Sequence, residues 1–450
     1  MEAIDGDKNQ IFFVDGPGGT GKTFLYRAIL ATVKLRGKFG LAVASSGIAA
    51  TLLHRGKTTH KTLGIPVTLH ASSTWKFSKQ DVEPQSVKHA AVIIWDEATM
   101  THRHAYKAVG RSLRDLMEVD FPFGGKVVVF GGDFRQILPV VTKGTKAQTI
   151  DACLVKSTLW RHVQQLHLTQ NMRSRHDAEF AAFLLRVGDG REPVVNEDMI
   201  KLPSSLCIPN GNQNLIDNLI HQVFPNLPEH EGDVTYMVER AIITPTNDEV
   251  DMLNEKILND FVGGEKIYYS FDSVPEDRQN LYQQEFLNSL SFGGLPPHLL
   301  RLKVGSPIML LRNIDTSSGL CNRTRLICCQ LMNHVIEAEI MTGHCKGTRV
   351  FIPRIPLITA EDAKLPFEMI RKQFPVKLCF ALTQGQTIPH VGIYLPTHVF
   401  SHGQLYVALS RGTSQQTTKI LVTNDNIQGK DYGVFTKNVI YKEVLLPHFT

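Results

Sequence analysis

At 450 residues the chain is too long for one compact core and long enough for two or three domains. Hydrophobic residues make up 42% and charged residues 20%, ordinary for a globular protein, and no uncharged apolar run is long enough to cross a bilayer. The net charge of +5 is small but uneven: from Arg301 to Lys377 twelve Lys/Arg stand against six Asp/Glu, so this segment carries the whole excess. A local basic surface of that kind suits a phosphate backbone, with a merely solvated face as the alternative. The seven cysteines (Cys153, Cys207, Cys321, Cys328, Cys329, Cys345, Cys379) contain no C-x-x-C pair, which argues against a zinc finger and for reduced thiols in core positions. His102 and His104 read as solvated neighbours rather than ligands. Met1 to Gln10 is polar and acidic, without the pattern of a secretory or transit signal.

In chain order, Ile11 to Val14 is an apolar run closed by Asp15 and a Gly-rich turn, and a helix is expected from about Lys22 to Leu35. A strand fits Phe39 to Ala44 and a small-residue helix Gly47 to Leu53. Further strands fit Ala91 to Trp95 and Val127 to Phe130. Continuous apolar runs of this kind belong to a parallel sheet covered on both faces. The expected fold class is therefore α/β, beginning with a doubly wound domain over 1–188. A Pro/Asn-rich connector follows over 189–235. From Leu302 the pattern changes to short β-rich pieces: Pro307 to Leu311, Thr324 to Cys329, His334 to Ile340 and Arg349 to Ile352. These are separated by Gly, Asn and Pro turns and read as a small antiparallel barrel over 301–356. Strand then helix over Ala241 to Asp260, and strands at Leu378 to Leu382, His390 to Leu395 and Lys419 to Val422, read as a second α/β domain, 236–300 and 357–450, interrupted by that module.

The strongest local signal is Gly16-Pro17-Gly18-Gly19-Thr20-Gly21-Lys22-Thr23, which satisfies G-x-x-x-x-G-K-[ST] between a strand and a helix. Its glycines let backbone N–H groups turn inward on phosphate oxygens, helped by the helix dipole. Lys22 is expected on the β/γ-phosphates and the Thr23 hydroxyl on Mg²⁺. The apolar run Val92 to Trp95 ends in Asp96-Glu97, where Asp96 suits the metal through water and Glu97 suits the base that activates the attacking water. Gln136, in Gly131-Gly132-Asp133-Phe134-Arg135-Gln136 after another apolar strand, suits a γ-phosphate sensor. Arg411, after the short apolar helix Tyr406-Val407-Ala408-Leu409-Ser410, suits a guanidinium delivered to a transferring phosphoryl group.

Together these residues resemble the Pif-family, RecD-like helicases of superfamily 1, and among them especially the helicase ends of plant Helitron-type elements. The resemblance runs through nearly the whole chain: Ser45-Ser46-Gly47-Ile48-Ala49-Ala50, Thr58-Thr59-His60, Asp96-Glu97-Ala98-Thr99-Met100, Leu168-Thr169-Gln170-Asn171-Met172-Arg173, Thr244-Pro245-Thr246-Asn247, Gly319-Leu320-Cys321-Asn322 and His402-Gly403-Gln404-Leu405-Tyr406-Val407-Ala408-Leu409-Ser410-Arg411. It implies two RecA-like P-loop domains with an SH3-like β insertion in the second, and ATP with Mg²⁺ as cofactors. It implies a monomeric motor that moves 5′→3′ on single-stranded DNA and opens duplex or forked DNA, with no membrane partner. A nuclear role in repair, recombination, telomere maintenance or Helitron-type transposition would follow. Arg173 and Arg411 would both approach the γ-phosphate, Gly385 would lie near the nucleotide, and Thr58, His60, Asn322, Arg323 and Arg325 match family positions near DNA.

Three features depart from the family pattern. An adenine-reading Gln helix would lie upstream of Met1. Lys61 and Arg323 stand where Ser and Gly are usual. The family's T-I-N-K-S-Q-G-Q-T stretch is here Thr383-Gln384-Gly385-Gln386-Thr387, four residues shorter. The last motivates the alternative of a degenerate transposon-derived protein that binds ATP and DNA but unwinds poorly. A GTP switch or small-molecule kinase ranks below both, since no N-K-x-D motif is present.

Overall fold

A computed structural model describes residues 1–6, 9–66, 68–196, 198–208, 214–275, 281–292, 294–316, 318–343, 345–359, 365–383, 387–423 and 433–445. The chain divides into two compact units: Met1–Ser205 with Thr397–Gln416 and Asn424–Thr450, and Leu206–Pro396 with Thr417–Thr423.

The first unit is built on six strands, β1 (Ile11–Asp15), β2 (Gly40–Ala44), β3 (Lys57–Thr58), β4 (Val92–Asp96), β5 (Val127–Gly132) and β6 (Val163–His167), in the spatial order β3-β2-β4-β5-β1-β6. Every pairing is parallel, so the carboxyl ends of all six strands share one edge. Alternate residues serve opposite cores. Phe13, Val43, Ile93, Trp95, Val128 and Phe130 face the helix Arg103–Met117 through Tyr106, Val109 and Leu113. Val14, Ala42, Val92, Ile94 and Val129 face the helix Lys22–Leu35 through Tyr26 and Val33. Both faces are dry, which is why the strands read as unbroken apolar runs. The strand β6, Val-Gln-Gln-Leu-His, sits at the sheet's edge with Gln164 and Leu166 exposed and its other residues half-buried, and its sequence lacks that run. His102 is more than solvated: its Nδ1 accepts the His104 N–H at 3.1 Å and so caps the helix that follows.

The second unit contains a four-stranded parallel sheet of Ala381–Leu382, Arg240–Ile243, His390–Leu395 and Thr418–Val422, in that order. Beside it lies a five-stranded antiparallel sheet, Arg349–Pro353, Val335–Ile340, Arg325–Leu331, Pro307–Leu310 and Val376–Leu378. The β module expected over 301–356 is thus completed by a strand beyond 356. The single strand expected at Leu378 to Leu382 is two strands in two different sheets. The buried Asn254 makes the break possible: its amide donates to the carbonyls of Leu378 (3.2 Å) and Ala381 (3.3 Å) and its oxygen accepts the Ala381 N–H (2.8 Å). These bonds satisfy backbone groups that a continuous ladder would otherwise have paired.

The boundary expected at 357–450 also differs. Residues Thr397–Gln416, which include the helix Gln404–Leu409 and Arg411, belong to the first unit, although the strands on either side of them in sequence lie in the second. The reason is packing: the helix residues Leu405 to Leu409 are all buried. No helix among the described residues is long and apolar enough to cross a membrane.

Candidate nucleotide site

The loop Gly16 to Thr23 leaves β1 and enters the helix Lys22–Leu35 at Gly21, whose φ of +88° starts the helix in the left-handed region. Gly19 has a φ of +92°, and a Cβ there would stand 2.6 Å from the Arg173 Cβ, so both conformation and contact demand glycine. Lys22 Nζ curls back onto the carbonyls of Gly16 and Pro17.

The strand β5 separates β1 from β4, so Gly132 and Asp133 lie between the loop and Asp96 at the sheet's carboxyl edge. Asp96 is buried, and burial, with Glu97 beside it, raises its carboxyl pKa to about 7. Glu97 holds a φ of +52°, a conformation that costs a non-glycine residue about 1–3 kcal/mol. Its N–H donates to Asp96 Oδ1 at 2.9 Å, while its own buried Oε2 has no protein partner. A carboxylate pair with one buried, orphaned oxygen is a donor set that fits a divalent cation and a water.

Two arginines complete the site. Arg173 Nη1 donates to the Ser410 carbonyl, and its backbone N–H to Asn171 Oδ1 at 2.9 Å. Arg411 Nε donates to the Val407 carbonyl at 3.0 Å and Nη2 to Ser410 Oγ at 3.2 Å. Burial and the neighbouring Arg411 push Arg173 down to about 10, and burial pushes Arg411 down as well, with Glu97 opposing. Two half-buried guanidiniums beside each other repel, and a polyanion between them would relieve that repulsion.

Beneath the loop lies a buried ionic network. Arg135 bonds Asp189 Oδ1 through Nε (2.6 Å) and Asp133 Oδ1 through Nη1 (3.2 Å), with Asp15 Oδ2 at 3.8 Å. Burial would raise the Asp133 pKa, but Arg135 and Lys22 outweigh it and hold the carboxyl below its ordinary value. Gln136, expected as a γ-phosphate sensor, donates Nε2 to Asp133 Oδ2 at 3.1 Å. Of the expected residues, the structure therefore brings Lys22, Thr23, Asp96, Glu97, Gln136, Arg173 and Arg411 into one unit. The residues Asp15, Asp133, Arg135, Asp189 and Tyr406 were not singled out from sequence. Asp133, Arg135 and Tyr406, inside motifs already quoted, carried a local signal. Gly385 and its neighbours Gln384 and Gln386 lie outside the described residues.

Thr58 ends β3 and is half-buried, and His60 follows it on the helix Thr59–Leu63, exposed at the same carboxyl edge. In the second unit Asn322 and Arg323 are exposed in the turn before the strand Arg325–Leu331, and Arg323 holds a φ of +71°, which accounts for the glycine usual there. Arg325 is a correction. It is 7% exposed, and its guanidinium donates to the carbonyls of Met237 (3.0 Å), Val238 (3.3 Å) and Arg240 (3.2 Å). It ties down the end of the helix Val234–Val238 and has no face to offer a phosphate.

The basic segment is corrected in the same sense. Arg301 pairs with Glu255 (2.7 Å) and Glu265 (2.8 Å), Arg349 with Glu337 (3.1 Å) and Arg371 with Asp272 (2.7 Å). Lys303 donates to the Leu258 and Phe261 carbonyls and Arg354 to the Tyr269 carbonyl. Half of the twelve cations, counting Arg325, are thus engaged inside the unit, and the +6 of the sequence is not a free +6 on a surface.

The family model described as PIF1-like helicase matches residues 1–198, and that for the 2B domain of DNA helicase Pif1 matches residues 285–331. The chain is 28% identical over 468 residues to the ATP-dependent DNA helicase PIF1 of Danio rerio, covering 99% of this chain and 64% of that protein. It is 28% identical over 422 residues to the human protein of the same name, covering 92% of this chain and 58% of that one. The chain thus spans roughly three-fifths of the length of these curated relatives. The crystal structure of Bacteroides Pif1 bound to ssDNA superposes with a TM-score of 0.65 at 22% identity, covering 94% of this chain and 90% of that one. The Pif1 helicase of Candida albicans gives 0.62 at 24% identity, covering 93% and 92%. Both likenesses establish the fold.

Proposed function

We propose that the chain, whose residues 1–198 match the PIF1-like helicase family, is an ATP-dependent DNA helicase of that family, hydrolysing ATP to move 5′→3′ along single-stranded DNA and separate duplexes. The observation that carries the ATP half of this reading is the meeting, in one unit, of a phosphate loop, a carboxylate pair and two half-buried guanidiniums. Hydrolysis of a terminal phosphate needs these parts: N–H groups and Lys22 for the β/γ oxygens, a base for water, and cations for the charge that develops. The named relatives are described as ATP-dependent DNA helicases, and Bacteroides Pif1 was crystallised with ssDNA.

In this reading Thr23 and Asp96 hold Mg²⁺, which would supply charge neutralisation at the phosphates. Glu97 Oε2 accepts the proton of the attacking water, and its lack of a protein partner leaves it free to do so. Arg173 and Arg411 stabilise the charge on the transferred group. Thr58 and His60, at the carboxyl edge of the first sheet, and Asn322 and Arg323 in the second unit are the proposed strand contacts.

Replacing Glu97 with glutamine is expected to lower the ATP turnover number about a hundredfold or more, with nucleotide affinity retained. A steady-state ATPase assay with and without oligo-dT tests this. Parent-level turnover in the variant would remove Glu97 as base, and an ATPase indifferent to oligo-dT would favour the degenerate alternative. For the DNA half, Arg323→Ala is expected to reduce the salt slope of oligo-dT binding by roughly 0.7 log units per log unit of salt. Arg325→Ala is expected to leave that slope unchanged and instead cost about 1.5–3 kcal/mol of stability by stripping three carbonyls of a charged donor. A flattened slope in Arg325→Ala would return this residue to the interface.

A further inference from the structure

The hydroxyl of Tyr406 joins the phosphate loop to the buried ionic network. Its ring is 1% exposed and presses on Gly188, where a Cβ would stand 2.8 Å from it. The Gly18 N–H donates to Tyr406 Oη at 3.0 Å, and the Tyr406 O–H donates to Asp133 Oδ2 at 2.9 Å. The direction of the chain of bonds is forced. Asp133 already accepts from the Arg135 backbone N–H (3.1 Å), from Arg135 Nη1 (3.2 Å) and from Gln136 Nε2 (3.1 Å), so the carboxylate acts only as acceptor. The hydroxyl must therefore give its proton to Asp133 and turn a lone pair to Gly18.

The segment that carries Tyr406 is anchored a second time, at His402. There Nδ1 accepts the Tyr441 N–H at 2.8 Å, which leaves the proton on Nε2 to be donated to the Phe134 carbonyl, also at 2.8 Å. Both anchors hold the segment to the stretch Asp133 to Gln136 behind β5. Arg411 follows five residues after Tyr406, and Ser410 between them stands over the loop: a Cβ built on Gly18 would lie 3.5 Å from Ser410 Oγ. Packing alone would be satisfied by phenylalanine; only the hydroxyl couples loop and network.

We propose that Tyr406 is the positioning residue that keeps Arg411 in register with the phosphate loop, its hydroxyl holding the loop through Gly18 and the sheet through Asp133. This rests on the reading of the loop and Arg411 as an ATP-hydrolysing site. The Gly18 N–H and Asp133 Oδ2 fix the hydroxyl from two sides, so the segment that leads to Arg411 is held against the loop.

The test is Tyr406→Phe in the full chain, alone and with Asp133→Asn, read by ATP turnover, affinity for a fluorescent ATP analogue, melting temperature and deuterium exchange at the Gly18 amide. The expected result is turnover lower by about tenfold, the effect of one well-placed hydrogen bond of about 1.4 kcal/mol, with analogue affinity within about threefold and melting nearly unchanged. Gly18 exchange should rise by about tenfold, and the double variant should be no slower than Asp133→Asn alone, since both remove the same link. Parent-level turnover and exchange in Tyr406→Phe would overturn the proposal. So would a parallel fall of turnover, affinity and melting temperature, which would make Tyr406 a scaffold residue. If the parent chain hydrolysed no ATP, the functional reading would fail, and the Gly18 exchange rate would still decide whether the bond holds the loop.

Discussion

Arg411→Ala is expected to lower the ATP turnover number by about 10³-fold or more while leaving nucleotide affinity within an order of magnitude. The magnitude follows from what the guanidinium replaces. It is half-buried beside a second arginine, so its interaction with an anion is screened less than in open water. Charge on a transferring phosphoryl group grows toward the transition state, so the loss falls on turnover more than on binding. Single-turnover measurements of phosphate release check this, since they separate chemistry from product release. A variant that lost affinity and turnover in equal measure would show Arg411 to be a binding residue only.

The second large effect is expected within the second unit. Asp272 and Arg371 face each other across the antiparallel ladder of Phe271–Ser273 and Ile370–Gln373. The arginine is 1% exposed; its Nε lies 2.9 Å from Asp272 Oδ1 and its Nη2 2.7 Å from Oδ2. The remaining donors reach the carbonyls of Pro296 (3.2 Å) and Leu287 (3.1 Å). Arg371→Met should leave Asp272 a buried carboxylate supported, among the described residues, by the Ser270 hydroxyl, at a cost of about 3–5 kcal/mol. The double replacement Asp272→Leu with Arg371→Met should recover most of that loss, because an ion pair taken out whole leaves no stranded charge. Urea denaturation of the three proteins measures it. A single variant as stable as its parent would show that water reaches the pair.

These two residues also mark the boundary between what was legible in sequence and what was not. Arg411 could be singled out because its neighbours form a recognisable run. Arg371 and Arg325 sit in the same basic stretch as Arg323, and nothing in their local sequence separates a cation that faces solvent from one that closes a core. The strand β6 has no such signal because, at the sheet's edge, its residues alternate between half-buried and exposed, so no apolar run is needed.

What the sequence by itself determined was the strand–loop–helix from Ile11 to Leu35, the acid-ended strand Val92 to Asp96 and the α/β class. Each depends on backbone hydrogen bonds and apolar periodicity within a few residues, and those are written locally. What only the tertiary structure decided was the charge partners: Arg325 on three carbonyls, Arg371 on Asp272, and the link from Gly18 to Tyr406 across 388 residues of chain. The tertiary structure also decided that the segment Thr397–Gln416 belongs to the first unit. A buried polar group takes whichever partner the fold brings within about 3 Å, because leaving it unpaired costs more than almost any local preference supplies, and sequence spacing holds no record of that choice.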